Sequence, residues 1–207
     1  MELSKHLNLN NAGTIYLNDL GKAITKVESR YCTWEYTSKK YLQKIERVFA
    51  YELYHQYRII IEKNKNRYAN LRLDGEIQKQ FSNNINSCGT NYNFEQARFA
   101  PDMVVHLGQI DRNSQNQKLI VEIKIRTIEK KELAKTILKF NHYIRELNFQ
   151  YAVFLSVNTT LISVAKKLKE IFDTNKAGEC SANFKRIIIV CYKDQKIDAK
   201  SLYQILN

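Results

Sequence analysis

The spacing of apolar residues predicts two helices in the first third of the chain. Within a polar N-terminal stretch, apolar side chains recur at helical spacing at Leu17, Leu20, Ile24 and Val27. A second, longer helix is expected over residues 38–63. Its apolar stripe consists of Leu42, Ile45, Phe49, Leu53 and Ile60.

The rest of the chain alternates between strand-like and helix-like segments. The pattern predicts strands at residues 68–73, 103–107, 118–125, 151–157 and 186–192. It predicts helices at residues 129–147, 161–172 and 199–206. Asp74 and Gly75 indicate a turn, and the polar residues 82–98 indicate a loop. A short, mostly polar stretch over residues 109–117 separates the second and third strands, so these two are expected to form a hairpin.

This order of elements predicts an α/β fold. Antiparallel strands early in the chain and β-α-β units late in it are typical of a mixed, centrally placed sheet flanked by helices. We expect residues 1–37 to form an N-terminal helical extension and residues 38–207 to form the main domain.

Composition favours a basic globular protein with a polyanionic partner. The chain has 207 residues, 44% of them hydrophobic, with 6 Gly, 1 Pro and a formal net charge of +12. These values argue against collagen-like and disordered classes. A basic folded surface suits nucleic acid, although a basic protein without such a partner has the same composition.

The sequence also bears on the compartment. The four cysteines are scattered without metal-site spacing, which is typical of reduced thiols. No apolar run approaches a membrane span, and the first ten residues lack the apolar core of a secretory signal. We therefore expect a soluble cytoplasmic protein without a membrane partner.

Candidate chemistry is concentrated in the predicted hairpin. Pro101 and Asp102 precede one strand, and Glu122, Ile123 and Lys124 lie in the next strand, with 19 residues between Asp102 and Glu122. Because side chains alternate along a strand, Glu122 and Lys124 share the face opposite Ile123. If the strands pair, Asp102 lies beside Glu122, and two carboxylates converge next to one ammonium group.

Such a cluster suits a bound Mg²⁺, for which Mn²⁺ can substitute. Two neighbouring carboxylates repel each other, and Mg²⁺ removes that repulsion while keeping waters and open positions for a phosphate. A lysine beside a metal-bound water can orient it or stabilise charge on phosphorus. The alternative is a solvated strand face at Glu122 and Lys124, with a turn at Pro101 and Asp102.

The residues Pro101-Asp102 and Glu122-Ile123-Lys124 resemble the motif of the PD-(D/E)xK phosphodiesterase superfamily, the restriction-endonuclease-like nucleases. The order of predicted elements over residues 38–193 is similar to the core of that family. The resemblance implies that Asp102 and Glu122 are metal ligands, that Lys124 is the catalytic lysine, and that the carbonyl of Ile123 is a further ligand.

The family often adds an acid from the helix that precedes its first core strand. Glu52 is the best match, because it lies beside the apolar stripe of the second predicted helix. It would assist in holding the metal. The alternative is a helix-edge glutamate paired with a neighbouring basic residue, and Glu76 is the competing acid.

Several residues after the motif could contact nucleic acid. One subgroup of the family places Gln-x-x-x-Tyr in the next helix; here Tyr143 fits, whereas Lys139 stands at the glutamine position. Both could contact phosphate, although packing of Tyr143 and solvation of Lys139 is the favoured alternative. The basic residues that could form a rim for the phosphate backbone are Arg126, Lys130 and Lys131.

The function expected from this resemblance is a metal-dependent DNA endonuclease of the restriction, recombination or mobile-element type. Cutting both strands of a duplex would favour a homodimer. Two alternatives stay open: a nuclease directed at RNA, and a non-catalytic nucleic-acid-binding module with a nuclease-like fold.

Overall fold

The computed structural model describes residues 2–7, 13–32, 39–75, 80–82, 97–108, 113, 115–125, 128–172 and 181–207. The helices are α1 (Leu3–Leu7), α2 (Thr14–Ile24), α3 (Lys39–Lys63), α4 (Lys65–Tyr68), α5 (Lys130–Glu146), α6 (Leu161–Ile171), α7 (Ser181–Phe184) and α8 (Leu202–Leu206). The strands are β1 (Arg72–Gly75), β2 (Gln80–Ser82), β3 (Ala97–Phe99), β4 (Met103–His106), β5 (Gln117–Lys124), β6 (Tyr151–Val157), β7 (Ile187–Lys193) and β8 (Lys196–Ser201).

Six of these strands form one mixed sheet in the order β1-β4-β5-β6-β7-β8. Strand β4 pairs antiparallel with β1 and with β5, and β5, β6 and β7 run parallel. Strand β8 returns antiparallel beside β7. Parallel neighbours need a crossover, and α5 and α6 follow β5 and β6 in the chain. Strands β2 and β3 form a separate antiparallel pair.

Helices cover both faces of the six-stranded sheet. Leu119, Val121 and Ile123 of β5 belong to the core that also contains apolar residues of α1, α2 and α3. Ile120 belongs to the other core, formed with α5, α6 and α8. Because side chains alternate along β5, Glu122 shares the α5 side of the sheet with Ile120.

Helix α3 forms where the apolar stripe predicts it. Its buried side chains are Ile45, Phe49, Leu53, Tyr57 and Ile60. They are spaced by four, four, four and three residues along the helix, which places them on one face. This face packs in the same core as β5 and therefore fixes the position of α3 relative to that strand.

The N-terminal helices pack into the same core as α3. The Tyr57 hydroxyl of α3 donates a hydrogen bond to the Tyr16 carbonyl of α2 at 2.9 Å. Asp19 of α2 is fully buried, and its carboxylate accepts hydrogen bonds from the Tyr68 hydroxyl at 3.1 Å and from Lys22 Nζ at 2.9 Å. A buried carboxylate needs such partners, so they hold α2 against α3 and α4.

The mixed sheet flanked by helices is confirmed, as are α3, the hairpin of β4 and β5, α5, β6, α6 and β7. The strand predicted at 68–73 was placed too early, since Lys65–Tyr68 is helical and the Asp74-Gly75 pair lies in β1 rather than in a turn. The helix predicted at 199–206 begins only at Leu202, after β8. Of the loop predicted at residues 82–98, residue 82 ends β2, residues 97 and 98 belong to β3, and residues 83–96 lie outside the described part.

Within the described ranges, no helix combines the length and the apolarity that a membrane crossing requires.

Candidate functional site

The candidate site lies at the carboxyl end of β5, next to the start of β4. The pairing of β4 with β5 ends at Met103 and Val121, so residues 122–124 pair only with β6. The Ile123 N–H points to the β4 side, where it donates a hydrogen bond of 2.6 Å to Asp102 Oδ2. In a strand the carbonyl of a residue points to the same side as its N–H. The Ile123 carbonyl therefore also lies on the Asp102 side of the strand.

Lys124 connects this strand end to helix α3. Its ammonium nitrogen lies 3.0 Å from Glu46 Oε1 and 3.4 Å from Glu122 Oε1. The other oxygen of Glu46 accepts a hydrogen bond of 3.4 Å from the Ile125 N–H. The side chains of Lys124, Glu122 and Glu46 are only 13%, 18% and 23% exposed. Water screens these charges weakly, so each strongly affects the others.

The pKa of Asp102 shows the cost of gathering these charges. Burial of the carboxyl group and then the nearby charge of Glu122 raise its pKa from 3.8 to about 7. Lys124 and the hydrogen bond from the Ile123 N–H lower that pKa, but they do not cancel the rise. In the absence of another cation, the site therefore favours a proton on Asp102 below about pH 7.

The pKa values of the other two charged residues of the motif, Glu122 and Lys124, are shifted as well. Burial raises the pKa of Glu122, and the ammonium groups of Lys124 and Lys139 oppose that rise. Burial alone would lower the pKa of Lys124, but the neighbouring carboxylates outweigh it and the pKa of Lys124 is raised. Lys124 therefore stays a cation, and the carboxylates carry the unfavourable charge of the site.

The structure brings together the residues that carry the sequence motif. The Asp102 carboxylate accepts a hydrogen bond from the N–H of Ile123, the residue between Glu122 and Lys124. Lys124 in turn lies within ion-pair distance of Glu122. The acid that α3 contributes to this group is Glu46. Glu52 instead accepts a hydrogen bond of 2.7 Å from Gln56 on the next turn of the same helix.

Sequence reasoning missed Glu46 because both helix acids border the apolar stripe. The two residues are six positions apart, which corresponds to about 120° around the helix axis and about 9 Å along it. Only the crossing point of α3 over β5 decides which one reaches Lys124. The sequence carries no signal that separates the two acids, since Glu46 directly follows Ile45 of the stripe and Glu52 directly precedes Leu53.

The candidate nucleic-acid contacts are spread over different environments. Lys139 is half-buried, and burial lowers its pKa. Tyr143 is buried and packs edge-to-face on Phe149, with 6.2 Å between ring centroids. Lys130 forms an ion pair with Glu170 at 2.5 Å. Lys131 is exposed, and Arg126 lies outside the described residues.

A second residue that the sequence did not reveal is Ser156 of β6. It is the parallel-strand partner of Lys124, and it is 1% exposed. Its hydroxyl has no hydrogen-bond partner among the residues that the structure describes. An unpartnered buried hydroxyl is unfavourable, which makes Ser156 a site neighbour with unused hydrogen-bonding capacity.

The oxygen atoms at the strand end suit Mg²⁺. Within the described part of the chain, no three His, Cys, Asp or Glu side chains form a ready metal-binding group. Mg²⁺ does not require one, because it binds through one or two carboxylates and keeps several waters. Asp102, Glu122 and the carbonyl of Ile123 could provide such a set. Burial and then the charge of Glu122 raise the pKa of Asp102, and a cation bound there would favour its charged form.

Comparison of the chain with known proteins gives no matching family model, no matching curated protein and no matching solved structure.

Proposed function

We propose that this chain is a Mg²⁺-dependent nuclease with a restriction-endonuclease-like core that hydrolyses DNA phosphodiester bonds. The observation that supports the proposal is the contact of Asp102 with the Ile123 N–H, which gathers Asp102, Glu122 and Lys124 at one strand end. Two carboxylates and a lysine at the carboxyl end of a strand form a minimal set for phosphodiester hydrolysis.

The residues divide into metal ligands, a catalytic lysine and a positioning residue. Asp102 and Glu122, with the carbonyl of Ile123, would hold Mg²⁺. When bound, the ion would polarise the phosphoryl oxygens and neutralise the charge that develops on them. Glu46 is a positioning residue, because its carboxylate holds the Lys124 ammonium at 3.0 Å.

Lys124 would act on the attacking water and on the phosphoryl group. Its ammonium group donates hydrogen bonds and carries a charge that the surrounding carboxylates stabilise. It orients the water for attack in line with the leaving oxygen, and it stabilises negative charge at phosphorus. The bond between water oxygen and phosphorus forms as the P–O3′ bond breaks. The released oxygen takes a proton, which leaves a 3′-hydroxyl and a 5′-phosphate.

The charge of the chain supports a nucleic acid as the substrate. The formal net charge of +12 would attract a polyanion over long distances. DNA is the proposed substrate, and a homodimer would let two sites cut the two strands of a duplex. A nuclease directed at RNA would use the same residues, so substrate choice is part of the test.

Cleavage assays with matched variants test the proposal. Plasmid DNA, linear DNA and RNA are incubated with the purified protein in Mg²⁺, in Mn²⁺ and in EDTA. We expect metal-dependent nicking or linearisation of DNA by the wild type and a loss of at least about 100-fold in Asp102→Asn and Lys124→Ala. The control variants are Asp198→Asn and Lys200→Ala, which change exposed residues of β8 and should cleave normally.

Three results would contradict the proposal in different ways. Equal cleavage by wild type and the motif variants would indicate a contaminating nuclease. Cleavage of RNA alone would reassign the substrate. Metal-dependent DNA binding without any cleavage would favour the alternative of a non-catalytic nucleic-acid-binding module.

A further inference from the structure

A pocket of about 290 Å³ adjoins Asp102 on the side of helix α3. Its lining residues are Ala50, Tyr51, Tyr54, Gly75, Asp102 and Met103. The helix provides one wall and the ends of β1 and β4 provide the other, where Gly75 pairs with Met103. The pocket thus shares a residue with the candidate active site and lies outside the contacts made by Lys124.

Two tyrosine rings border this pocket in different ways. The Tyr54 hydroxyl donates a hydrogen bond of 2.8 Å to the Leu73 carbonyl, which fixes its ring against β1. Tyr51, three residues earlier, is on the same side of the helix and is 64% exposed. Tyr57, by contrast, is fully buried in the core. Tyr51 therefore adds little to folding, and it places an aromatic side chain at the pocket.

Gly75 keeps the opposite wall open. A Cβ atom placed on Gly75 would lie 3.6 Å from the Asp102 carbonyl oxygen and 4.0 Å from ring atoms of Tyr54. These are ordinary contact distances, so alanine fits there. A larger side chain would extend into the space between the strand and the tyrosine rings.

We propose that this pocket binds an unpaired nucleobase that neighbours the phosphate to be cleaved at Asp102 and Glu122. The inference rests on the proposed function for the identity of the ligand. It names the substrate class more closely, as single-stranded or locally unpaired nucleic acid.

The chemistry of the walls selects a base over the other parts of a nucleotide. Every base has a π-face that can stack on an aromatic side chain without regard to sequence. None of the described residues that line the pocket carries a positive charge that would hold a phosphate, whereas the two tyrosine side chains offer aromatic surface to a neutral base. A base within a duplex stack is out of reach, so the occupant must be unpaired or extruded.

The test measures binding without cleavage, in EDTA, with two fluorescent probes. One probe is a short oligothymidine, and the other is the same backbone made of abasic residues. We expect the wild type to bind the oligothymidine roughly 10-fold more tightly than the abasic probe. Tyr51→Ala should remove that preference and leave affinity for the abasic probe unchanged, whereas Tyr51→Phe should retain it.

A second pair of variants tests the pocket from its other wall. Gly75→Val should fill the space and reduce the preference for the oligothymidine, and Gly75→Ala is the matched control that should preserve it. A preference that survives in both Tyr51→Ala and Gly75→Val would overturn the inference. Equal loss of affinity for both probes would also overturn it, because that result indicates a backbone contact.

Failure of this inference can be told apart from failure of the proposed function. Cleavage with Mg²⁺ but no base preference would refute the pocket and leave the nuclease proposal standing. A base preference that depends on Tyr51, without cleavage under any metal condition, would support the pocket in a non-catalytic nucleic-acid-binding module.

Discussion

Neutralising Asp102 should stabilise the metal-free protein at neutral and alkaline pH. The pKa of Asp102 rises from 3.8 to about 7 on folding because the carboxyl group is buried and lies near the charge of Glu122. The folded chain therefore binds more protons than the unfolded chain between these two pKa values. Its stability falls as the pH rises through that interval, and the full cost persists above it. Asp102→Asn removes this cost.

The shift sets the size of the expected effect. One pKa unit corresponds to about 1.4 kcal/mol, so the rise of Asp102 gives an upper limit of about 4 kcal/mol above pH 7. Solvent reaches the half-buried carboxylate and reduces this value, and we expect a gain of about 2 to 4 kcal/mol. Asparagine keeps an oxygen that can accept the hydrogen bond from the Ile123 N–H.

Urea unfolding in EDTA over a range of about pH 4 to pH 8 measures this gain. The difference in unfolding free energy between Asp102→Asn and wild type should be small at the acid end, grow with pH and level off above about pH 7. Asp198→Asn, on the exposed side of β8, should show no such pH-dependent gap. A gap that does not change with pH would refute the reasoning, since it would mean that the Asp102 charge meets no unfavourable surroundings.

Addition of Mg²⁺ extends the same experiment. A ligand that binds only the folded chain stabilises it in proportion to the logarithm of its concentration. Mg²⁺ should therefore restore the stability of the wild type above pH 7 and have little effect on Asp102→Asn. Equal stabilisation of both proteins would place the ion elsewhere.

Two further predictions concern the neighbours of Lys124. Glu46→Gln should lower the cleavage rate by about 10-fold to 100-fold without changing the Mg²⁺ concentration needed for half-maximal activity, because Glu46 positions Lys124. If that Mg²⁺ requirement rises in Glu46→Gln, or if Glu52→Gln is the more damaging variant, the helix acid has been assigned wrongly. Ser156→Ala should raise the unfolding free energy by up to about 1 kcal/mol in urea titrations, because it removes a buried hydroxyl without a partner. A clear loss of stability would show that this hydroxyl is hydrogen-bonded in solution.

Most of the sheet could be predicted because its strands are long apolar runs or show clear alternation. Strand β8 was missed for a physical reason. Asp194 and Gln195 form the β7–β8 turn with φ values of 50° and 61°. Asp suits the first position of such a turn, but Gln195 stands where glycine normally follows, so the sequence lacks the usual hairpin signal. Strand β1 was misplaced for the opposite reason, since Asp74 and Gly75 resemble a turn but are held in the sheet by β4.

The sequence predicted only the part of the site that depends on the alternation of side chains along β5 and on its pairing with the neighbouring strand β4. Glu122 and Lys124 follow from one strand, and Asp102 follows from a hairpin with its neighbour, so all three depend on short-range pairing. The contact between Lys124 and Glu46 joins residues 78 positions apart. No local pattern encodes such a contact, because it depends on how the face of α3 packs over the whole sheet. The same holds for Ser156, whose place beside Lys124 follows from the register of two parallel strands.

The location of the cluster follows from a change in strand direction within the sheet. Strand β5 pairs antiparallel with β4 on one side and parallel with β6 on the other, and its pairing with β4 ends at Val121, two residues before Ile123. The Ile123 N–H therefore has no backbone partner on β4, and the Asp102 carboxylate accepts its hydrogen bond instead. An open backbone edge at the carboxyl end of a strand is where sheets of this class place ligands. The acidic cluster is unfavourable to folding by itself, and under the proposed function a cation and the phosphate that it attracts would give that arrangement a physical reason.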